Sequence, residues 1–319
     1  MTFESGSGPK LGALLGDQVL DLSAAAALAG LPAFPGTMQS LIEAGESGLL
    51  DARALVAQAP SAALRSRQSL LAPLPRPIRF RDCSLFLEHM VVAMERIAQE
   101  MAMKAPDPTV ALAEFQASGK YSMSPEFFKQ VIYYNADHLH VYGTDSDIIW
   151  PIQPGWADYE LEWACVVGKT GRDIELSAAQ DHIFGFTILN DWSARDLQIP
   201  FMEANLGPAG GKDFANSFGP CIATLDEFDD PYDLHMTAKI NGELWSQGST
   251  KTMHHRFEDA IAQFSRGRTL YAGEVLGSGT VLGGCGLELG RRLSHADVVE
   301  LEVEGIGILR NRVLFPGWS

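Results

Sequence analysis

The sequence lacks the features that mark several large classes of protein. Its four cysteines lie far apart and include no CxxC pair, which argues against a zinc knuckle or a disulfide framework. No apolar run approaches the roughly 18 residues that a membrane span requires, and residues 1–10 show no secretory signal pattern. We therefore expect a cytoplasmic protein with reduced thiols and no membrane partner.

Positive charge is also scarce. Lys and Arg total 24 against 40 Asp and Glu, which gives a formal net charge of −16. This charge opposes sequence-independent binding to the phosphates of nucleic acids, so no nucleic-acid partner is expected. The acidity alone says little about chemistry, because a bound divalent cation reverses the field locally.

Complete nucleotide-binding motifs are missing as well. Lys212 follows two glycines as in a phosphate-binding loop, but Leu206 and Asp213 occupy positions where that motif requires Gly and Ser or Thr. The stretch Gly277-Ser278-Gly279 begins like a dinucleotide motif, but Leu282 stands in place of the third glycine. We therefore expect no nucleotide cofactor.

The patterning of the chain suggests two units. Residues 11–22 predict two short strands around a turn and residues 41–57 predict a helix, so we expect a small N-terminal α/β domain over residues 1–74. Three prolines between residues 72 and 77 favour extended linker backbone. This places a second, larger domain over residues 75–319.

The larger unit begins with helical patterning and continues with strands. Residues 84–104 carry apolar side chains at helical spacing, which predicts an amphipathic helix whose methionines pack in the core. Residues 105–130 mix prolines with aromatics and are expected to form a long loop with short helical pieces. Beyond residue 148, short β-branched and aromatic runs predict a mainly β structure, so the fold class is α+β.

Acidic side chains are concentrated near predicted strands. In residues 159–163, Glu160 and Glu162 alternate with apolar residues and leave one face of a strand, a pattern that by itself is typical of a solvated surface. Asp191 follows the next apolar run, and Asp82 precedes the predicted helix, either as a ligand or as its N-cap. Such carboxylates suit Mg²⁺, Mn²⁺ or Ca²⁺ rather than zinc.

Several separated motifs resemble those of the fumarylacetoacetate hydrolase family, and they occur in the family's order over most of the chain. The matching segments are Asp82 with His89, residues 158–162, residues 190–198, residues 207–214, Gly279-Thr280 and Glu288. The resemblance implies a mixed β-sandwich roll of the fumarylacetoacetase C-terminal type. Homodimers are typical of this family.

The resemblance also implies roles for individual residues. The metal ligands would be Asp82, Glu160, Glu162 and Asp191, with Mg²⁺ as the first candidate and Mn²⁺ or Ca²⁺ as alternatives. The catalytic residues would be His89, which activates water, Glu288, which orients the imidazole, and Lys212, which stabilises charge on oxygen. The substrate-binding residues would be Arg195, Gln198, Thr280 and Tyr133.

The implied reaction is hydrolysis of a carbon–carbon bond in a small 2,4-dioxo acid or related 1,3-dicarbonyl compound. Alternatives are decarboxylation, hydration or tautomerisation of a 2-oxo acid at the same metal site, or ligand binding without catalysis. Some family members use a His-x-x-Glu pair on a lid helix, whereas here Val92 follows His89 at that spacing. This difference favours the dyad of His89 and Glu288 and therefore the hydrolase.

Overall fold

The computed structural model describes residues 1–31, 33–66, 69–153 and 155–317. The N-terminal elements are β1 (Thr2–Phe3), β2 (Lys10–Leu15), β3 (Gln18–Asp21), α1 (Leu22–Leu28), α2 (Met38–Gln58), β4 (Leu64–Ser66) and β5 (Leu70–Leu71). The strands form one sheet in the order β4-β3-β2-β1-β5. The two strands and the helix predicted for this region are confirmed.

This N-terminal sheet shares apolar packing with the rest of the molecule. Leu20 and Ile42 belong to the same buried cluster as Phe80 and Val275. This cluster contains residues from both sides of the three prolines, so it gives no boundary between two folding units. The division into residues 1–74 and 75–319 therefore stays a prediction.

The middle of the chain contains two helices and four short strands. They are β6 (Arg79–Cys83), α3 (Leu87–Ala102), α4 (Pro108–Ser118), β7 (Tyr133–Ala136), β8 (Val141–Tyr142) and β9 (Asp147–Ile149). The helix α3 confirms the helical prediction for residues 84–104, although it begins three residues later. The segment predicted as a long loop contains α4, which is longer than the short pieces expected.

The ends of α4 have recognisable sequence signals. The carboxylate of Asp107 accepts the backbone N–H groups of Thr109 and Val110, both at 3.1 Å, and Pro108 occupies the first turn. Gly119 ends the helix with a φ of 67°. These caps allow a helix where the mixture of prolines and aromatics suggested irregular backbone.

The C-terminal part is mainly β, as predicted. Its elements are β10 (Ala157–Asp158), β11 (Leu161–Val167), β12 (Gly171–Arg172), β13 (Ile183–Asp191), β14 (Ser193–Ala194), α5 (Arg195–Glu203), β15 (Asn216–Thr224), β16 (His235–Ile240), β17 (Glu243–Ser249), α6 (Phe257–Ser265), β18 (Thr269–Leu270), β19 (Glu274–Gly277), α7 (Gly286–Leu289), β20 (Val298–Val303) and β21 (Gly307–Leu314).

Two larger sheets contribute to one extended apolar core. A seven-stranded sheet has the order β7-β6-β19-β11-β13-β15-β8, and a five-stranded sheet has the order β17-β16-β20-β21-β9. The ring of Trp163 on β11 lies 4.6 Å from that of Phe186 on β13 and 5.0 Å from that of Phe257 on α6. The predicted α+β, mainly β fold class is confirmed.

Strand direction within the seven-stranded sheet positions the polar residues. The strands β6 and β19 are parallel, and β11 runs antiparallel to both β19 and β13. The carboxyl ends of β6, β19 and β13 and the amino end of β11 therefore lie along one edge of the sheet. Among the described residues, no helix combines the length and apolar character needed to cross a membrane.

Candidate metal centre and active site

Three buried carboxylates meet at this edge of the sheet. Asp82, Glu162 and Asp191 each offer an oxygen within 4.8 Å of the others. Asp82 pairs in register with Gly277, where an added Cβ would collide with the Asp82 carboxylate, so glycine leaves room for it. Because Asp82 lies within β6 and Phe86 is the N-cap of α3, the interpretation of Asp82 as a helix cap is wrong.

The donor set fits a divalent cation. Oδ1 of Asp82, Oε2 of Glu162 and Oδ1 of Asp191 are buried and accept no hydrogen bond from the described residues. Burial raises the pKa of all three carboxyls, and the charges of Asp82 and Asp191 raise that of Glu162 further. A cation held by these oxygens would relieve their repulsion, and all-oxygen ligands suit Mg²⁺, Mn²⁺ or Ca²⁺.

Glu160, the fourth implied ligand, contacts two cations at the border of this cluster. Its Oε1 accepts from Nη2 of Arg195 at 2.8 Å, and its Oε2 accepts from Nζ of Lys212 at 2.5 Å. Burial opposes its ionisation, but the charges of Lys212 and Arg195 outweigh burial and lower the pKa of Glu160. Lys212 also donates to the carboxylate of Asp191 and so joins Glu160 to the other acids.

The alternating acids do not form a solvated surface. Glu160 is 5% exposed and Glu162 is 1% exposed, while Leu161 and Trp163 on the opposite face of the strand are buried in the main core. The solvated-face interpretation is therefore wrong, because both faces of this strand are covered. Buried carboxylates need partners, and those of Glu160 are the cations Arg195 and Lys212, whereas Glu162 accepts only the hydroxyl of Thr280 among the described residues.

Negative side chains outnumber positive ones in the lining of the cavity. Four acids and two basic side chains line it, namely Asp82, Glu160, Glu162, Asp191, Arg195 and Lys212. When all are ionised, two negative charges are left uncompensated. One divalent cation would offset these two charges, and Asp158, which is bonded to Arg195 from outside the cavity lining, contributes a further negative charge.

His89 and Glu288 come together next to these acids. Nδ1 of His89 lies 3.1 Å from Oε2 of Glu288, and both side chains are buried. His89 lines the same cavity as the carboxylates. Without the family resemblance Glu288 would be expected on an exposed strand, but it lies on the short helix α7. With Nδ1 beside Glu288, Nε2 is the ring nitrogen left to exchange a proton in the cavity.

Asp158 is a site residue that the sequence analysis quoted only as part of a motif. Its Oδ1 accepts the backbone N–H of Gly286 at 2.7 Å, and its Oδ2 accepts that of Leu287 at 3.0 Å. The same Oδ2 accepts from Nε and Nη2 of Arg195 at 3.0 and 2.7 Å. One buried carboxylate therefore holds both Arg195 and the turn that carries Glu288. In the sequence, Asp158 lies just before Glu160 and Glu162, and this position was the signal that could have identified it as a site residue.

The four implied substrate-binding residues all line the cavity. Nη1 of Arg195 donates to Oε1 of Gln198 at 2.8 Å, so this pair forms one hydrogen-bonded unit. The hydroxyl of Thr280 donates to Oε1 of Glu162 at 3.2 Å. Tyr133 contributes to the wall. The structure therefore brings these residues to one cavity, while their roles towards a substrate stay predictions.

Tyr134 is a further residue that sequence reasoning missed. Its hydroxyl donates to Oδ2 of Asp191 at 2.9 Å, while the neighbouring Tyr133 packs its ring edge-on against Phe264 at 4.6 Å. Consecutive residues on a strand project to opposite faces. The sequence therefore showed two adjacent tyrosines but not which one reaches the acids.

The helix α3 forms one wall of the cavity. Met90 and Met94 were expected in the core, but they are half-buried and line the cavity. The prediction of an apolar face on α3 is confirmed, but the prediction that its methionines pack in the core is wrong for Met90 and Met94. A helix that lines a cavity and a helix that packs in a core require the same apolar spacing. The cavity has a volume of about 410 Å³.

Comparison with known proteins identifies the family. The model of the fumarylacetoacetate (FAA) hydrolase C-terminal family matches residues 108–314. The chain belongs to the fumarylacetoacetate hydrolase family. This confirms the resemblance seen in the separated motifs. It also makes the chain a member of an enzyme family that acts on small molecules.

Individual fumarylacetoacetate hydrolase relatives carry different activities in their names. The mitochondrial oxaloacetate tautomerase Fahd2a of Rattus norvegicus is 31% identical over 291 residues, which cover 89% of this chain and 81% of that protein. The structure of fumarylacetoacetate hydrolase from Exiguobacterium antarcticum matches with a TM-score of 0.72, 24% identity and 98% coverage of both chains. Maleylpyruvate hydrolase from Sphingobium sp. SYK-6 matches with a TM-score of 0.68, 22% identity, and coverage of 99% of this chain and 100% of that one. The two structural matches support the fold.

Proposed function

We propose that this protein is a divalent-cation-dependent hydrolase that cleaves a carbon–carbon bond in a small 2,4-dioxo acid or related 1,3-dicarbonyl compound. The observation that carries the proposal is the 3.1 Å contact between Nδ1 of His89 and Oε2 of Glu288 beside the carboxylate cluster. The two groups lie within ion-pair distance but are not aligned for a hydrogen bond. An acid beside one imidazole nitrogen favours the proton on that nitrogen and leaves the other free to act as a base towards water. Water activation is the step that separates hydrolysis from isomerisation.

The metal would be held by Asp82, Glu162 and Asp191, with Glu160 at the edge of the set. When bound, it would act as a Lewis acid towards the oxygens of the dicarbonyl group. We propose Mg²⁺ as the ion, with Mn²⁺ or Ca²⁺ as alternatives, because the ligand atoms are all oxygens.

The chain's own groups would move the protons and orient the substrate. Nε2 of His89 would take a proton from water as the water oxygen attacks the carbonyl carbon, and Glu288 would stabilise the imidazolium. Lys212 would stabilise negative charge on the attacked oxygen. Cleavage then releases a carboxylic acid and a carbanionic fragment, which takes the proton back from His89 and leaves as a 2-oxo acid.

A tautomerase is the second candidate. It is favoured by the 31% identity to a rat oxaloacetate tautomerase over 89% of this chain. The same histidine would then carry a proton between carbon and oxygen of a 2-oxo acid, and no water would be consumed. We also propose a cytoplasmic location and a homodimeric state.

The experiment that tests the proposal follows a panel of acylpyruvates by loss of enol absorbance and by chromatography of the acids formed. Assays contain Mg²⁺, Mn²⁺ or a chelator, with the wild-type protein or His89→Ala. Hydrolysis requires two acids in equal amounts, formed only with metal and lost in the variant. Faster keto–enol exchange of oxaloacetate without acid products would instead establish the tautomerase.

A further inference from the structure

The cavity continues away from the carboxylates along α3. Beyond His89, this helix lines the cavity with four apolar side chains, Met90, Ala93, Met94 and Ile97. The eight helical steps from His89 to Ile97 span about 12 Å at the rise of about 1.5 Å per residue. We call these four side chains the α3 wall.

The charged residues of this part of α3 face away from the cavity. Glu95 and Arg96 are exposed, and Nη1 of Arg96 donates to Oε1 of Gln99 at 3.0 Å. Phe127 and Met202, which come from other segments, also line the cavity. The α3 wall therefore offers hydrocarbon and thioether groups to a ligand.

The basic side chains of the cavity are committed to carboxylates. Among the described residues that line the cavity, the only lysine and arginine side chains are those of Lys212 and Arg195. Arg195 is bonded to Asp158 and Glu160, and Lys212 to Glu160 and Asp191. Moving either one towards the α3 wall would leave buried carboxylates unpaired, which is strongly unfavourable.

We propose that the substrate is a monocarboxylic dioxo acid with an apolar acyl group, which the α3 wall selects against dicarboxylic analogues. This inference rests on the proposed hydrolysis of a dioxo acid. The dioxo acid head would lie at the carboxylate cluster and the acyl chain along the α3 wall. A second carboxylate at the far end of the chain would lie against half-buried methionines, where it would lose part of its hydration with no cation beside it.

The proposal has quantitative consequences. Each methylene added to the acyl chain buries apolar surface on the α3 wall, which should raise kcat/KM about fourfold until the wall is covered. A terminal carboxylate on a chain of the same length should lower kcat/KM by about 100-fold. These two trends separate an apolar wall from a pocket that merely tolerates both kinds of substrate.

Binding of substrate analogues that cannot be hydrolysed tests the selection independently of turnover. Titration calorimetry in the presence of Mg²⁺ compares 2-oxohexanoate with 2-oxoadipate, which differ only in the terminal carboxylate. We expect the monocarboxylate to bind at least about tenfold more tightly. Equal or tighter binding of 2-oxoadipate would overturn the inference, whatever reaction the enzyme catalyses.

A pair of variants on α3 locates the selecting surface. Met94→Lys places a cation on the α3 wall and should shift the preference towards 2-oxoadipate by at least about tenfold. Val91 is 41% exposed on the same helix, so Val91→Lys adds the same charge outside the cavity and should leave the preference unchanged. Thermal unfolding of both variants shows that they fold. An equal shift in both would assign the effect to overall charge and contradict the proposal.

The same proteins are then assayed with 2,4-dioxoheptanoate and its terminal carboxylate analogue. Preference for the monocarboxylate in both binding and turnover supports the proposed function and this inference together. Preference in binding without release of two acids would refute the hydrolase and leave the selection intact. Turnover of both compounds at similar kcat/KM would keep the hydrolase and refute the selection.

Discussion

Nδ1 of His89 lies 3.1 Å from Oε2 of Glu288, which connects the helices α3 and α7 at one end of the cavity. Sγ of Cys285 lies 3.6 Å from the same Oε2. The short helix that carries Glu288 is in turn held by Asp158 through its first backbone N–H groups. The position of the imidazole therefore depends on residues from three separate parts of the chain.

Removal of the imidazole should abolish catalysis without affecting the metal. We expect His89→Ala to lower kcat on a cleaved dioxo acid by about 10²- to 10⁴-fold, because general base catalysis is lost. The affinity for Mg²⁺, measured by calorimetry, should stay the same. His235 is exposed on β16, so His235→Ala is a matched control with unchanged kcat. Equal activity of the two variants would exclude His89 as the base.

Neutralising one acid of the cluster should have opposite effects on the metal-free and metal-bound proteins. In Glu162→Gln, one of three mutually repelling buried carboxyls is removed, so the metal-free protein should gain about 1 kcal/mol of unfolding free energy. Its affinity for Mg²⁺ should fall by about 10- to 100-fold. Thermal unfolding with chelator and with Mg²⁺ measures both effects.

The control for this variant is Glu302→Gln, since Glu302 lies on the exposed face of β20. It should change neither the stability in chelator nor the increase in Tm that Mg²⁺ produces. If Glu162→Gln kept the full Mg²⁺ effect, the carboxylate cluster would not be the metal site.

The affinity for Mg²⁺ should increase with pH. Burial raises the pKa of Asp82, Glu162 and Asp191, so the folded metal-free protein binds protons that the unfolded chain releases. Its stability therefore falls as the pH rises from the ordinary carboxyl range through these raised values. Mg²⁺ has to displace the same protons, so its binding strengthens over the same interval.

Calorimetry in two buffers with different ionisation enthalpies counts the protons released when Mg²⁺ binds. We expect proton release that becomes smaller as the pH rises. Binding that is independent of pH, with no proton release, would show that the carboxyls are already ionised in the metal-free protein and would contradict their raised pKa values.

Loss of the Asp158 charge should affect both stability and activity. Asp158→Asn leaves Arg195 buried with one carboxylate partner fewer, which should cost about 3 kcal/mol of unfolding free energy. It also weakens the hold on the turn that carries Glu288, so kcat/KM should fall by about 100-fold. Denaturant unfolding and steady-state kinetics measure these changes.

Asp196 provides the matched control for Asp158. It is exposed at the start of α5, and its Oδ2 accepts the backbone N–H groups of Gly155 and Trp156 at 2.9 and 2.6 Å. Asp196→Asn should leave kcat/KM within about twofold of the wild-type value, because the asparagine oxygen can accept the same backbone N–H groups and Asp196 does not line the cavity. A comparable loss of activity in both variants would show that Asp158 acts only through general stability.

Local patterns predicted much of the fold. The alternation of residues 159–163 and the apolar run before Asp191 correspond to β11 and β13, and the helical spacing after residue 84 corresponds to α3. Such patterns depend on neighbouring residues and on which side of an element is shielded from water. They did not show that Glu160 and Glu162 are buried, because burial depends on elements packed from elsewhere in the chain.

The sequence by itself determined the acids, the histidine and the strand and helix patterns that carry them, together with the order of motifs that marks the family. Tertiary structure alone decided that Asp82, Glu162 and Asp191 share one edge, because the sheet order β6-β19-β11-β13 joins strands distant in sequence. It also decided that α3 turns Met90 and Met94 to a cavity. An apolar stripe specifies only that water is excluded, and the packing of the whole chain determines whether a core or a ligand excludes it.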